Sequence, residues 1–228
     1  MKVAVVGAGR IGGGIGTRLG RNGHEVMFSF SRDASKLEEL AAGVEGGRAG
    51  TARQAVEFAD VVVFAVPWRT IDAALEEMGP LEGKVVVDTT NQFGAGPEEI
   101  PAGLSAVEHN ARRMPGAALA KTFNTLTAGF QAEVAAGTPG EVAMFYANEE
   151  ESAGAVADAL VAACGFAPVR IGGWRQVGLI EAPRRPGAVY GEAYRPAAAE
   201  RIAAAALTGD LEAAGRLADE LKQAEGER

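Results

Sequence analysis

The chain has 228 residues, with 30 acidic against 22 basic side chains and a formal charge of −8. That balance counts against nucleic acid or an anionic membrane surface as a partner, and the length predicts one domain with room for a small appendage. A single cysteine, Cys164, excludes an internal disulfide and a cysteine-based metal site.

Taken in order, the chain opens on a short apolar run, Val3 to Val6, that ends at Gly7-Ala8-Gly9-Arg10-Ile11-Gly12. A stretch with Ile11, Ile15 and Leu19 on one helical face follows, then a second apolar run from Glu25 to Phe30 closed by Ser31-Arg32. Strand, glycine turn, helix and parallel strand together give the G-x-G-x-x-G spacing its meaning as a dinucleotide cradle. Gly7 allows the tight turn, Gly9 lets a pyrophosphate approach the backbone, and Gly12 lets the helix pack on the strand. Arg10 and Ile11 open the helix whose free amides and positive dipole end would face the phosphates. The competing reading is a glycine turn that holds another nucleotide-like ligand, such as S-adenosylmethionine.

The end of the second strand discriminates between dinucleotides. An Asp or Glu there accepts hydrogen bonds from a ribose 2′-OH. Here Phe28 to Arg32 contains no carboxylate before Asp33. Arg32 offers a planar cation suited to a 2′-phosphate, Ser31 adds a hydroxyl, and Lys36 can reach from the next helix. NADP(H) is favoured over NAD(H). The alternative is that Arg32 and Lys36 are surface charges and Asp33 reads the ribose.

Helices are predicted over 33–43, 51–58, 71–78, 104–114 and 149–164, and strands over 60–66, 84–88, 118–123, 141–147 and 168–171. Residues 125–140 read as a glycine-rich link, and Gly94 to Gly103 as a loop rich in Gly and Pro. The regular alternation predicts a Rossmann-type α/β domain over 1–182: a doubly wound, mostly parallel sheet with helices on both faces. The tail, 183–228, predicts a short helix just before it (178–182), an irregular stretch, and helices over 197–207 and 210–222. It is a candidate lid, with Arg184 and Arg185 facing an anionic group, or a homodimer contact. Lys2 leads into a strand and glycines rather than a long apolar run, and the apolar stretches are strand-sized. A cytoplasmic chain with no membrane span is expected.

Ligands of such sheets bind beyond the carboxyl ends of the strands. Those ends are Gly7 to Gly12, Ser31-Arg32, Val66-Pro67-Trp68, Asp88 to Asn91 and Asn124-Thr125. Val66 and Pro67 would run beside the ribose and nicotinamide. Asn91 and Asn124 can hold a carboxamide or a second substrate, or else cap their loops. Asp88 is read as a holder of local backbone N–H groups. His109 is expected on a helix surface and His24 in a turn far from chemistry. Lys121 is either functional or satisfied at a strand edge. No metal spacing and no nucleophile with a partner base stands out. A thin acid–base inventory suits hydride transfer between two stacked rings, which needs alignment rather than proton donors.

The motifs together resemble the NADPH-dependent coenzyme F420 reductase family. They are also similar to the cytoplasmic reductase domain of the six-transmembrane ferric reductases. The likeness is carried by residues 7–12, 23–26 with Ser31-Arg32, Ala65 to Trp68, Asp88 to Asn91, 115–125 and 164–168, over about residues 1–182. It implies NADPH held by Gly9 to Gly12, Ser31, Arg32 and Lys36, with nicotinamide near Ala65, Val66, Pro67 and Asn124. The implied reaction is hydride exchange with F420, FAD or FMN. Two other readings stay open: reduction of a small carbonyl or imine, and a non-catalytic NADP(H) sensor.

Overall fold

The computed structural model describes residues 1–93, 100–183 and 186–226. Eight strands form one sheet: β1 (Lys2–Val6), β2 (Glu25–Ser29), β3 (Arg48–Ala49), β4 (Val61–Phe64), β5 (Val85–Asp88), β6 (Ala118–Lys121), β7 (Ala143–Asn148) and β8 (Ala167–Gly172). Their order across the sheet is β3-β2-β1-β4-β5-β6-β7-β8. The order reverses beside β1, which puts a crevice at its carboxyl end, next to the carboxyl end of β4.

The strands are apolar on both sides because both sides are covered. In β1, Val3 and Val5 pack with Ile15 and Leu19 of α1 (Arg10–Arg21), Leu37 and Ala41 of α2 (Ala34–Ala42), and Leu160 and Val161 of α7 (Glu151–Ala163). Ala4 and Val6 face the opposite layer, with Val56 of α3 (Ala52–Phe58), Ile71 and Met78 of α4 (Ile71–Met78) and Val107 of α5 (Ala106–Arg113). Each fully buried Val, Leu, Ile or Phe contributes about 1.5–3 kcal/mol relative to exposure. No described helix is long and apolar enough to cross a membrane.

The sheet is not parallel throughout. β7 runs antiparallel to β6, meeting it at Ala120 with Asn148 and Lys121 with Ala147, and β8 runs parallel to β7. The cause lies in residues 125–140, read from sequence as a link. They contain a helix, α6 (Ala128–Ala136), whose Thr127 hydroxyl accepts from the Phe130 amide at 3.3 Å. This helix packs beside α1, with the Arg18 guanidinium donating to Gln131 at 3.5 Å. The chain therefore re-enters the sheet from the carboxyl edge. The capping signal was present in Thr127 and Gly137 but masked by the surrounding glycines. The two-residue β3 was also unread.

A second correction concerns 178–182, predicted helical. The helix α8 lies earlier, at Trp174–Val177. It is started by the Glu149 carboxylate and the Gln176 side chain, which accept from the amides of Trp174 and Gly173. Residues 178–181 continue from α8 as turns, the Leu179 amide donating to Gln176 and those of Ile180 and Glu181 to Val177, and the Glu181 carboxylate accepts from the Ala106 and Val107 amides at 3.0 and 2.9 Å and so caps α5.

The tail continues the same core. Buried Ala199, Ile202 and Ala203 of α9 (Pro196–Leu207) and Ala214 and Ala218 of α10 (Leu211–Gly226) belong to the cluster that covers one sheet face. Arg184 and Arg185, proposed as lid cations, lie outside the described residues, as does most of the Gly- and Pro-rich loop.

Candidate functional site

The cradle is formed by backbone and by space. Gly7 has φ +101°, and a Cβ there would stand 2.5 Å from the Ala65 carbonyl oxygen. A Cβ on Gly12 would come within 2.1 Å of the Gly7 carbonyl and 2.9 Å of Ala65 Cβ. Both glycines exist because β1, α1 and the end of β4 touch. Gly9 is different: a Cβ there would meet nothing within 4 Å. It opens α1 without a side-chain cap, and the first turn carries no acidic residue. The positive end of that helix therefore faces open space, the requirement for a phosphate.

The cleft in front has a volume of about 1520 Å³. Gly7, Gly9, Arg10, Ile11, Ser31, Arg32, Lys36, Ala65, Val66, Pro67 and Asn91 all line it. Gly12 stands behind the cradle as a packing contact. Thr89, within the predicted Asp88 to Asn91 end, lines it too, as do Thr51, Gln54 and Phe93, which were not singled out in the sequence. Thr51 could have been, since Thr51 and Gln54 form a capping box at the start of α3.

At the end of β2 the chain turns through Phe30, which has φ +56°, a conformation that L side chains avoid. Beyond it, the Ser31 hydroxyl accepts from the Asp33 amide at 3.2 Å. The Asp33 carboxylate accepts from the Ser35 amide at 3.0 Å and the Ser35 hydroxyl at 2.7 Å, capping α2. These bonds, the hydroxyl's first, hold Asp33 below the usual carboxylate range. Asp33 caps its own helix through Oδ1, and Arg32, Asp33 and Lys36 are all exposed at the cleft.

At the ends of β5 and β6 the polar groups are buried. Asp88 accepts from the Thr90 amide at 2.7 Å, as expected, and also from the Asn110 side chain at 2.9 Å. Lys121 is fully buried; its ammonium lies 3.3 Å from Asp88 and donates to the Thr90 carbonyl. β6 is internal, between β5 and β7, so Lys121 does not sit at a strand edge. Phe123, at φ +59°, repeats the turn made by Phe30. It leads into Asn124, whose amide donates to Asn91 Oδ1 at 3.2 Å and to the Ile180 carbonyl at 2.7 Å. Asn91 donates to the Asn124 carbonyl at 2.9 Å. Asn91 reaches the cleft; Asn124 is buried behind it, with Oδ1 lacking a hydrogen-bond partner.

His109 is buried, not on a surface as expected. Asn110 is drawn inward to Asp88, and this sets His109 against Trp68, ring centroids 6.3 Å apart. His24 is half-buried in its turn, and burial lowers its pKa. Cys164 caps α7 as a small buried side chain, and burial pushes its thiol up to about 11.

Residues 2–92 match the model of the family described as NADP oxidoreductase, coenzyme F420-dependent. Among solved structures, the chain is similar to a hypothetical protein of Sinorhizobium meliloti at 26% identity and a TM-score of 0.71, covering 86% of this chain and 95% of that one. It is similar to a protein of Arthrobacter sp. FB24 assigned as an F420-dependent NADP reductase: 24% identity, TM-score 0.62, 76% of this chain and 85% of that one. A reductive aminase of Aspergillus terreus, solved with NADPH and ethyl levulinate, shares the fold at 17% identity and TM-score 0.55, over 91% of this chain and 60% of its own. Residues 2–92 thus resemble the coenzyme F420-dependent NADP oxidoreductase family, and the chain shares its fold with the reductases named above.

Proposed function

We propose that the chain transfers hydride between NADP(H) and a flavin-type ring acceptor, of which F420, FMN and FAD are the candidates. Bound NADPH supplies a hydride from its nicotinamide ring. The chain's own residues hold and align. The amide end of α1 and the space over Gly9 suit the pyrophosphate, and the hydroxyl of Ser31 with the cations of Arg32 and Lys36 suits a 2′-phosphate. Ala65, Val66 and Pro67 form an apolar wall beside Asn91, whose orientation is fixed by Asn124.

One observation carries the choice of acceptor. Among the described residues lining the cleft around Val66, Pro67, Thr89 and Asn91, none is a proton donor with a pKa near neutrality. The nearby ammonium of Lys121 is sealed behind Thr90 and paired with Asp88. Ring-to-ring hydride transfer needs only proximity and orientation, whereas a ketone or imine takes a proton at the reacting atom. Reduction of a small carbonyl or imine has the shared fold behind it and no feature of the cleft.

Stopped-flow oxidation of NADPH by F420, FMN, FAD and a cyclic imine tests the reading. Turnover with at least one of the three ring acceptors is expected. Turnover with the imine alone would overturn it.

A further inference from the structure

We propose that Phe93 and Tyr190 form an aromatic seat for the acceptor's planar ring, so that the tail completes a site begun at the end of β5. This rests on the acceptor reading above.

Met1, Phe93 and Leu207 are the exposed large apolar side chains among the described residues, and of these Phe93 alone lines the cleft. Its ring is 61% exposed. Leaving that much apolar ring in water is unfavourable by the area rule, and the position is two residues beyond Asn91, which lines the cleft. The backbone turns there, with the Phe93 amide donating to the Asn91 carbonyl at 2.9 Å. The ring is thus delivered to the rim of the end that suits nicotinamide.

Tyr190 comes from a distant part of the chain but is held at the same rim. The Gly191 amide donates to the Thr125 carbonyl at 2.9 Å, and the Val189 amide to the Leu179 carbonyl at 2.9 Å. Ala188 and Val189 are buried. The segment is therefore anchored beside Asn124-Thr125, and Tyr190 stands half-buried with its ring centroid 6.3 Å from that of Phe93, inclined at 58°. That separation lies within the range of aromatic pairs. One ring is anchored and the other open, an arrangement that a third flat ring can join by stacking.

Size agrees. The cleft, at about 1520 Å³, exceeds the roughly 300–1,000 Å³ of an ordinary small-molecule site, as a site for two ligands requires. The ligand class that fits is a planar conjugated heterocycle of the isoalloxazine or deazaflavin type. A small aliphatic imine has no π-face to offer.

The test is a binding titration that does not depend on turnover. Riboflavin, FMN and F420 are each titrated with the full chain saturated with NADP⁺, following quenching of ligand fluorescence, and NADPH oxidation is measured alongside. Binding of at least one ring compound is expected. Phe93→Ala should weaken it about tenfold, in line with base–aromatic stacking. Tyr190→Ala should weaken it severalfold, Phe93→Tyr and Tyr190→Phe should restore it, and NADP⁺ affinity should stay within twofold throughout. No binding of any ring compound, or equal binding by Phe93→Ala, overturns the seat. Binding that depends on Phe93 without NADPH oxidation keeps the seat and sinks the hydride-transfer reading instead.

Discussion

Two sets of strand ends flank the cleft, and they are made in opposite ways. The β1 and β2 ends offer backbone, empty space and exposed cations: Gly9 with nothing in front of it, an uncapped helix start, and Arg32 and Lys36 in solvent. The β5 and β6 ends turn polar side chains inward and bond them to one another: Asp88 with Lys121, Thr90 and Asn110, and Asn91 with Asn124. The first region keeps its hydrogen-bonding capacity for a ligand. The second uses it to fix its own shape. Both turn through a phenylalanine in the left-handed region, Phe30 and Phe123, but one turn delivers charges to the surface and the other delivers an amide to the interior. A binding site thus needs groups left free on one side and groups already committed on the other, the latter to hold the frame still.

That contrast predicts that changes at β5 and β6 strike stability and changes at β1 and β2 strike affinity. The largest effect is expected from Lys121→Met, which leaves the Asp88 carboxylate buried without its cation and should cost about 3–5 kcal/mol in urea unfolding. Gly12→Ala comes next. It lies in the binding half but touches backbone at 2.1 Å, so it should lose about 3 kcal/mol or more of stability along with binding. A stable Gly12→Ala would break the comparison there. Arg32→Ala should leave unfolding within about 0.5 kcal/mol and weaken NADPH by about 10- to 100-fold while sparing NADH, as loss of a charge-assisted bond to phosphate implies. Equal losses for both dinucleotides in a titration would show that Arg32 does not read the 2′ position. The smallest and sharpest test is Gly9→Ala: no change in unfolding, because its Cβ meets nothing, but about tenfold weaker NADPH, because that space is where the pyrophosphate is expected.

Much of the β1 and β2 half of the cleft was legible in the chain, because its signals are local. Glycine spacing, strand length and the residues just after β2 each act within a few positions, and Gly7, Gly9, Ser31, Arg32 and Lys36 all reach one cleft. The other half was only partly legible. Asp88 was expected to hold backbone amides and does so at Thr90. Lys121 and His109 were harder, since the burial of each depends on a neighbour far along the chain: Asp88 for one, and the pull of Asp88 on Asn110 for the other. The antiparallel entry of β7 was missed for a similar reason. Strand direction follows from where α6 packs, against α1, and not from any pattern within β7.

By itself, then, the sequence determined the strand–glycine–helix unit, the alternation that makes the sheet, and the absence of a carboxylate ahead of Arg32, since these depend on steric and hydrogen-bonding rules that act between near neighbours. Only the tertiary structure decided that Lys121 is sealed inside with Asp88 and that Tyr190 of the tail stands beside Phe93. Those outcomes require residues separated by tens of positions to compete for the same space, partner or solvent, and chain order does not say which of them wins.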